Sequence, residues 1–361
     1  MNRNPNRTAG RAGQRPPAAS RIGYFGKIPA HSDFIKLADD QPVMGMLDDW
    51  IAQVMTRLPA DARWKLNYDA MAPASFAFVG PDRRHAVAGH LVASHDRSGR
   101  RFPFLMMCTV DVPDPEGFVA RSPLAFGPLW DYLEGMAPRV LVSSDPSAYL
   151  QAIAETPVFL GGDDAASDGI PECGADSASD NALERTLDRA FDRAFDRYLT
   201  LSTVGELTSR LHLAANRLIL GLGLLLQPVM HSRPASLHKC LVLPLPRDGA
   251  ARHATAAFWL ELLLPFIRRS GFDLALFLTR VRERPALVVG FGGAAVGTLH
   301  ALIDPLVAAD QQVHLEDNAW IDEQVGLDVD VRALASYLEQ PALPLRLARE
   351  LFLNTFIGAA P

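Results

Sequence analysis

An acidic, hydrophobe-poor stretch, residues 161–182, interrupts a chain that is otherwise strongly apolar. It contains six acidic side chains, four glycines and no lysine or arginine, a composition typical of a linker or a long mobile loop. The whole chain has 361 residues, more than twice the length of a domain of about 150 residues. We therefore expect two folded units, residues 22–160 and 183–361, on either side of an acidic linker.

A second atypical segment occupies residues 1–21. It carries five arginines, the pair Pro16-Pro17 and no acidic side chain, so it lacks the apolar surface that a segment needs to fold alone. We interpret it as a disordered, solvated tail, with weak binding to an acidic surface as the functional alternative. No apolar stretch follows these arginines, so we do not expect a signal peptide.

The composition excludes several classes of function. The formal net charge of −6 argues against a nucleic-acid-binding protein, since such proteins carry a basic excess. No run approaches the ~20 apolar residues of a membrane-spanning helix, so an integral membrane protein is not expected. The three cysteines, Cys108, Cys173 and Cys240, lie far apart without a Cys-x-x-Cys pair, which favours a reducing cytoplasm and no metal or disulfide site.

Both units mix short apolar runs with longer helix-like stretches. Strands are predicted at residues 22–25, 75–79, 87–93, 104–110, 240–245, 286–291 and 311–315. Helices are predicted at residues 42–58, 124–136, 148–153, 183–199, 211–226 and 254–269, the last kinked or ended near Pro265. These elements predict an α/β (mixed α+β) protein, in which a layered α/β/α sandwich is followed by a second, helix-rich α/β domain of related class.

The clearest candidate for a functional motif is one segment, Gly23-Tyr24-Phe25-Gly26-Lys27-Ile28-Pro29-Ala30-His31-Ser32-Asp33-Phe34. Two glycines flank an aromatic pair, Pro29 closes the predicted strand, and Asp33 could cap a following turn or helix. Lysine occurs at only four positions, Lys27, Lys36, Lys65 and Lys239, so two lysines around one short segment invite a binding role. The alternative is that the glycines and Pro29 shape the backbone while Lys27 is solvated, and the residues alone favour neither.

A second segment places a polar, arginine-rich turn between two apolar runs: Gly89-His90-Leu91-Val92-Ala93-Ser94-His95-Asp96-Arg97-Ser98-Gly99-Arg100-Arg101-Phe102-Pro103-Phe104. Arg97, Arg100 and Arg101 could form a fork for a carboxylate or a phosphate, because guanidinium donors match those anions bidentately. Alternatively, Asp96 and Arg97 pair with each other and rigidify a hairpin.

Together these segments resemble the TagF family (also called ImpM), accessory proteins of the bacterial type VI secretion system. The first is similar to the family's Gly-aromatic-aromatic-Gly-Lys-hydrophobic-Pro-x-x-Gly-Asp-Phe signature at Gly23, Gly26, Lys27, Pro29, Asp33 and Phe34. The second resembles a Gly-x-hydrophobic-x-x-Ser-x-Asp-Arg-x-Gly-Arg-x-Phe-Pro segment at Gly89, Ser94, Asp96, Arg97, Gly99, Arg100, Phe102 and Pro103. Residues 47–51, with Trp50, resemble the family's Trp-Asp-x-Trp-Leu helix. Ser32 stands where the family usually has glycine, Leu47 replaces its first tryptophan, and Ser75 replaces an aromatic residue.

The resemblance implies a cytoplasmic, non-enzymatic, post-translational repressor of type VI secretion that occludes or sequesters the forkhead-associated scaffold Fha, with no cofactor or metal. The partner-binding residues expected to converge on one face are Lys27, His31, Asp33, Asp96, Arg97, Arg100 and Arg101. The residues expected to shape the backbone around them are Gly23, Gly26, Pro29, Phe34, Trp50, Gly89, Ser94, Gly99, Phe102 and Pro103.

A rival interpretation uses the loop at residues 290–295. Gly290, Gly292 and Ala295 fit a loose Gly-x-Gly-x-x-Ala dinucleotide fingerprint between a predicted strand and a helix, and Glu316 or Asp317 would take a ribose hydroxyl. A nucleotide-binding enzyme is therefore the alternative function. A tight turn packed through glycine explains the same loop, and we favour it because too few residues follow for the rest of a doubly wound domain.

Two further patterns carry little signal for catalysis. His85, His90 and His95 are five residues apart, which places neighbours on opposite faces of a strand, so we expect surface histidines rather than metal ligands. Ser32 lies between His31 and Asp33, but sequence neighbours point apart and no Gly-x-Ser-x-Gly elbow occurs. The sequence therefore predicts no hydrolase site.

Overall fold

The computed structural model describes residues 20–38, 40–158, 180–231, 237–267, 272–316 and 319–358, with the backbone alone at 180–190, 230–231 and 319. Most of the predicted tail and acidic linker lies outside these residues. The exceptions are corrections to the predicted boundaries: Ser20–Arg21 forms a strand, and a helix begins at Asp180.

The strands, in chain order, are β1 (Ser20–Arg21), β2 (Gly23–Gly26), β3 (Ile35–Leu37), β4 (Ala74–Val79), β5 (His85–Val92), β6 (Phe104–Asp111), β7 (Pro157–Val158), β8 (Cys240–Pro244), β9 (Leu274–Val281), β10 (Arg284–Gly290) and β11 (Gln312–His314). The helices are α1 (Gln41–Arg57), α2 (Trp64–Asp69), α3 (Pro115–Val142), α4 (Ser147–Glu155), α5 (Asp180–Leu201), α6 (Val204–Leu211), α7 (Ala215–Leu226), α8 (Gly249–Ile267), α9 (Val296–Ile303), α10 (Pro305–Gln311), α11 (Ala319–Leu327), α12 (Val329–Leu338) and α13 (Leu345–Phe356). Short 3-10 turns follow α1 and α7, at Leu58–Ala60 and Gln227–His231.

Several helices begin at a residue whose side chain caps free backbone N–H groups. Asp40 accepts a hydrogen bond from the Val43 amide at the start of α1, and Asp114 accepts one from the Gly117 amide at the start of α3. Thr203 and Glu206 form a reciprocal capping box at α6. Such contacts satisfy donors that the first helical turn leaves unpaired, so these helix starts are encoded locally.

One mixed sheet organises the chain. Its nine strands follow the order β11-β8-β10-β9-β4-β5-β6-β2-β3, and every neighbouring pair is antiparallel except the parallel pair β11 and β8. A separate two-stranded ladder joins β1 to β7. Among the described residues, the sheet therefore ends at β3, the short strand that follows the first sequence motif.

Strands β4 and β9 join the two halves of the sequence within this sheet. They pair from Ser75 opposite Leu278 to Val79 opposite Leu274. Strands from residues 22–160 and from residues 183–361 thus share a single set of ladder hydrogen bonds. The predicted boundary between two units stays a prediction.

Helices cover both faces of the sheet. Alternate side chains of each strand point to opposite faces, so Phe76 lies in one buried cluster and its neighbour Ala77 in the other. Helices α1 and α9 pack together over the Phe76 face, and α3 and α8 pack together over the Ala77 face. This arrangement confirms the predicted α/β fold class.

Two indole groups tie the layers to the sheet backbone. Trp130 of α3 donates from Nε1 to the Phe76 carbonyl at 3.1 Å, and Trp259 of α8 donates to the Pro244 carbonyl at 2.9 Å. Because α8 is surrounded by other helices and the sheet, its apolar residues point in every direction, as expected of a central helix. It runs through Pro265 to Ile267, where the sequence predicts a kink or an end.

The structure differs from the predicted elements at several places. The helix predicted at residues 211–226 is present as α7 from Ala215, whereas Leu211 ends α6, and His212 adopts a left-handed conformation (φ 53°) after it. Strand β9 was not predicted. Among the described residues, no single helix is long and apolar enough to cross a membrane, although the segments Val204–Leu211 and Ala215–Val229, bent by 96°, meet the length and composition requirement together.

Candidate functional site

The two sequence motifs meet because β2 lies beside β6. Gly26 at the end of β2 pairs with Phe104 at the start of β6, and its φ of 130° lies in a region that glycine alone adopts readily. A Cβ at this position would overlap the Pro103 carbonyl oxygen. Gly26 therefore allows the backbones of the two motifs to lie in direct contact.

A buried serine and a buried tyrosine fix the base of the second motif. Ser94 donates its hydroxyl to the Lys27 carbonyl at 2.6 Å. The Tyr68 hydroxyl, supplied by α2, accepts a hydrogen bond from the Ser94 amide and donates one to the Ser94 carbonyl, both at 3.0 Å. The strand end at Ser94 is thus attached to β2 and to α2, and burial raises the pKa of the Tyr68 phenol above its usual value.

The Asp96 carboxylate is the centre of the site, and it is fully buried. It accepts hydrogen bonds from the Ser98 amide and hydroxyl, from the Arg100 amide, and from Arg100 Nε at 2.6 Å. The Lys27 ammonium lies 3.0 Å away. Burial by itself would raise the pKa of Asp96, but the donors of Ser98, Lys27 and Arg100 outweigh it and hold that pKa well below its usual range.

Lys27 lies inside the protein, and its side chain is only 8% exposed. Its ammonium sits between Asp96 and the face of the Phe34 ring, 4.9 Å from the ring centroid. Two predictions are corrected here: Lys27 is neither a solvated lysine nor a cation available to a partner carboxylate or phosphate. The predicted Asp96–Arg97 pair is also wrong, because Asp96 pairs with Lys27 and Arg100.

Arg97 and Arg100 hold the loop that follows β2. Arg97 donates from its side chain to the Ala30 carbonyl at 2.6 Å and from its amide to the His31 carbonyl at 2.8 Å. Arg100 donates to the Ser32 carbonyl at 2.7 Å. Both arginines remain exposed at the surface while they bind this loop, so they connect the two motifs and also face solvent.

Arg101 points away from this arrangement. Its guanidinium forms a bidentate pair with Asp69 of α2, with N–O distances of 2.7 and 2.6 Å. This contact lowers the pKa of Asp69 below its usual value. The structure therefore separates Arg101 from the other predicted site residues and makes it a link to α2.

Three phenylalanines close the outer side of the site. The rings of Phe25 and Phe34 are stacked, with centroids 5.4 Å apart, and Phe102 packs edge-on against both. Phe34 nevertheless keeps 45% of its surface exposed. Asp33 is exposed, and its carboxylate accepts a hydrogen bond from the neighbouring Phe34 amide; a strand, β3, follows it rather than a helix.

These contacts define a surface that we call the motif corner: the exposed parts of residues 31–37 and 97–100. Of its predicted residues, His31, Asp33, Arg97 and Arg100 face solvent, whereas Lys27 and Asp96 support it from beneath. Sequence reasoning missed Tyr68 and Asp69, because their role depends on how α2 packs. The aromatic character of Phe25 and Phe102 is the sequence signal that could have indicated the ring cluster.

The three histidines on and after β5 lie in different surroundings. His85 pairs with Asp111 at 2.7 Å on the surface, and His95 contacts the Asp96 carbonyl at 2.9 Å. His90 is buried, with Nδ1 2.9 Å from the Ser75 hydroxyl, so the prediction of surface histidines is wrong at this position. Among the described residues, no group of three or more histidine, cysteine or acidic side chains has the arrangement of a metal site.

The loop at residues 290–295 does not have the setting of a dinucleotide site. Strand β10, which precedes it, is antiparallel to both of its neighbours, whereas the fingerprint requires a parallel strand-helix-strand unit. A Cβ at Gly290 would lie 2.7 Å from the Thr298 hydroxyl oxygen, so the glycine lets α9 pack against the strand. Glu316 faces Arg284 at 3.9 Å, and Asp317 lies outside the described residues. The loop therefore lacks the parallel unit on which the nucleotide-enzyme alternative rested.

Comparison with known proteins identifies the region that holds the motif corner. Residues 23–156 match the family model of the TagF N-terminal domain, which is type VI secretion system-associated. The resemblance predicted from the two motifs is thus confirmed, and residues 23–156 are similar to a TagF N-terminal domain. No curated protein matches the chain.

A solved structure is also similar to part of the chain. It is the crystal structure of PA0076 from Pseudomonas aeruginosa PAO1, with 23% sequence identity and a TM-score of 0.34. The similarity covers 38% of this chain and 63% of that protein, so the match spans less than two thirds of the length of PA0076.

Proposed function

We propose that this chain is a non-enzymatic, cytoplasmic regulator of the bacterial type VI secretion system, a post-translational repressor that binds and sequesters an Fha-type forkhead-associated scaffold. The association with type VI secretion comes from the TagF N-terminal domain at residues 23–156. The repressor role and the Fha partner are what the family resemblance implies.

The observation that carries the proposal is the construction of the motif corner. Its exposed groups, among them Phe34 and Arg100, stand on a buried Lys27–Asp96 pair and on a loop fixed by hydrogen bonds from Arg97 and Arg100. A surface held in this way loses little conformational entropy when a partner binds. Arg97 and Arg100 hold the loop backbone and Lys27 is paired with Asp96, which favours a binding role over a catalytic one.

Co-purification from a type VI-active cell extract tests the proposal. We expect the tagged wild-type chain to retain the Fha-type scaffold, and His31→Glu to retain less of it. The added carboxylate would offset the positive charge of the exposed Arg97 and Arg100 nearby, while the His31 backbone keeps its hydrogen bonds. The matched control is Arg282→Glu, which reverses an exposed charge in the hairpin between β9 and β10. Thermal unfolding of each variant separates lost binding from lost folding.

A second measurement addresses repression. Deleting the gene is expected to raise type VI secretion, and the His31→Glu variant is expected to restore repression less well than wild type. If wild type retains no secretion component and the deletion leaves secretion unchanged, the proposed function is wrong. If retention is equal for wild type and His31→Glu, the motif corner is not the binding surface.

A further inference from the structure

We draw no further inference here: the strongest candidate, a surface groove of about 610 Å³ between the first half of α1 and the loop before α9, lined by Met46, Asp49, Trp50, Ala294 and Val296 among others, carries nothing because no contact among the described residues shows what would cover it.

Discussion

The Lys27 ammonium lies 3.0 Å from the Asp96 carboxylate, and both side chains are buried where the two sequence motifs meet. Ser98 and Arg100 complete the donors around the same carboxylate. The two partners are therefore not equivalent: Asp96 has several donors besides Lys27, whereas no second carboxylate is recorded beside Lys27 among the described residues. Since an unpaired buried charge is costly, their removal should have unequal effects.

Asp96→Ala is expected to destabilise the protein more than Lys27→Met. The first change leaves an ammonium buried without a counter-charge, whereas the second leaves Asp96 bound by Ser98 and Arg100. For Lys27→Met we expect a loss of about 2 kcal/mol, the size of a hydrogen bond to a charged group. Urea unfolding of both variants measures the order. If Lys27→Met lost more stability than Asp96→Ala, Arg100 and Ser98 would not be sufficient to stabilise the Asp96 carboxylate without Lys27.

Gly26→Ala is expected to destabilise the protein by about 3 kcal/mol, because a Cβ overlaps the Pro103 carbonyl and the backbone has a positive φ. Gly45→Ala in α1 is the control. Nothing lies within 4 Å of a Cβ there, so the substitution should stabilise the helix by about 0.5–1 kcal/mol. Thermal and urea unfolding measure both. Similar values for the two variants would mean that the strands β2 and β6 can move apart at little cost.

The buried His90 predicts a loss of stability in mild acid. Burial lowers its pKa to about 4, so as the pH falls from about 6.5 the unfolded chain takes up a proton that the folded protein does not. The stability present above pH ~6.5 is lost progressively down to pH ~4, with about 2 kcal/mol lost between about pH 7 and about pH 5.

Unfolding free energies of wild type and His90→Gln across this range measure that contribution. An amide at this position can still bond to Ser75, and the other histidines with lowered pKa values, His253, His300 and His314, remain in both proteins. The variant should therefore show a shallower slope with pH. If the unfolding free energies of the two proteins decreased equally as the pH fell, a group other than His90 would cause the loss of stability in acid.

The Arg101–Asp69 pair is expected to stabilise the attachment of α2 without contributing to partner binding. A double-mutant cycle with Arg101→Ala and Asp69→Ala should give a coupling of about 0.5–1 kcal/mol, because the pair is bidentate yet partly exposed. Scaffold retention by Arg101→Ala should equal that of wild type. If Arg101→Ala retained less scaffold while its stability was unchanged, Arg101 would be part of the binding surface.

Local chemistry explains why much of the fold and the meeting of the motifs could be predicted. Near-continuous apolar runs mark β5 and β6 within a few residues of their ends, and Gly26 and Pro29 end the first strand where expected. The partners of the charged groups could not be predicted in the same way. Whether Asp96 faces Arg97 or Lys27 depends on the register of β2 against β6, which no neighbouring residue encodes.

The single sheet that contains strands from both halves of the chain could not be predicted from the sequence either. The apolar run of β9 carries no signal that selects β4, far away in the chain, as its neighbour. The pattern at residues 290–295 was misleading for a related reason. Glycines that fit a dinucleotide fingerprint also fit a close strand-to-helix turn, and the antiparallel pairing of β10 decides between them.

The pairing of β4 with β9 has a consequence for a chain cut between β7 and α5. Each fragment would carry one strand of the pair, from Ser75 opposite Leu278 to Val79 opposite Leu274, as an open edge of matching register. The two pieces would then behave as halves of a split protein. Expressed as separate polypeptides, they would reassemble by fragment complementation, and reporters fused to each half would signal their reunion.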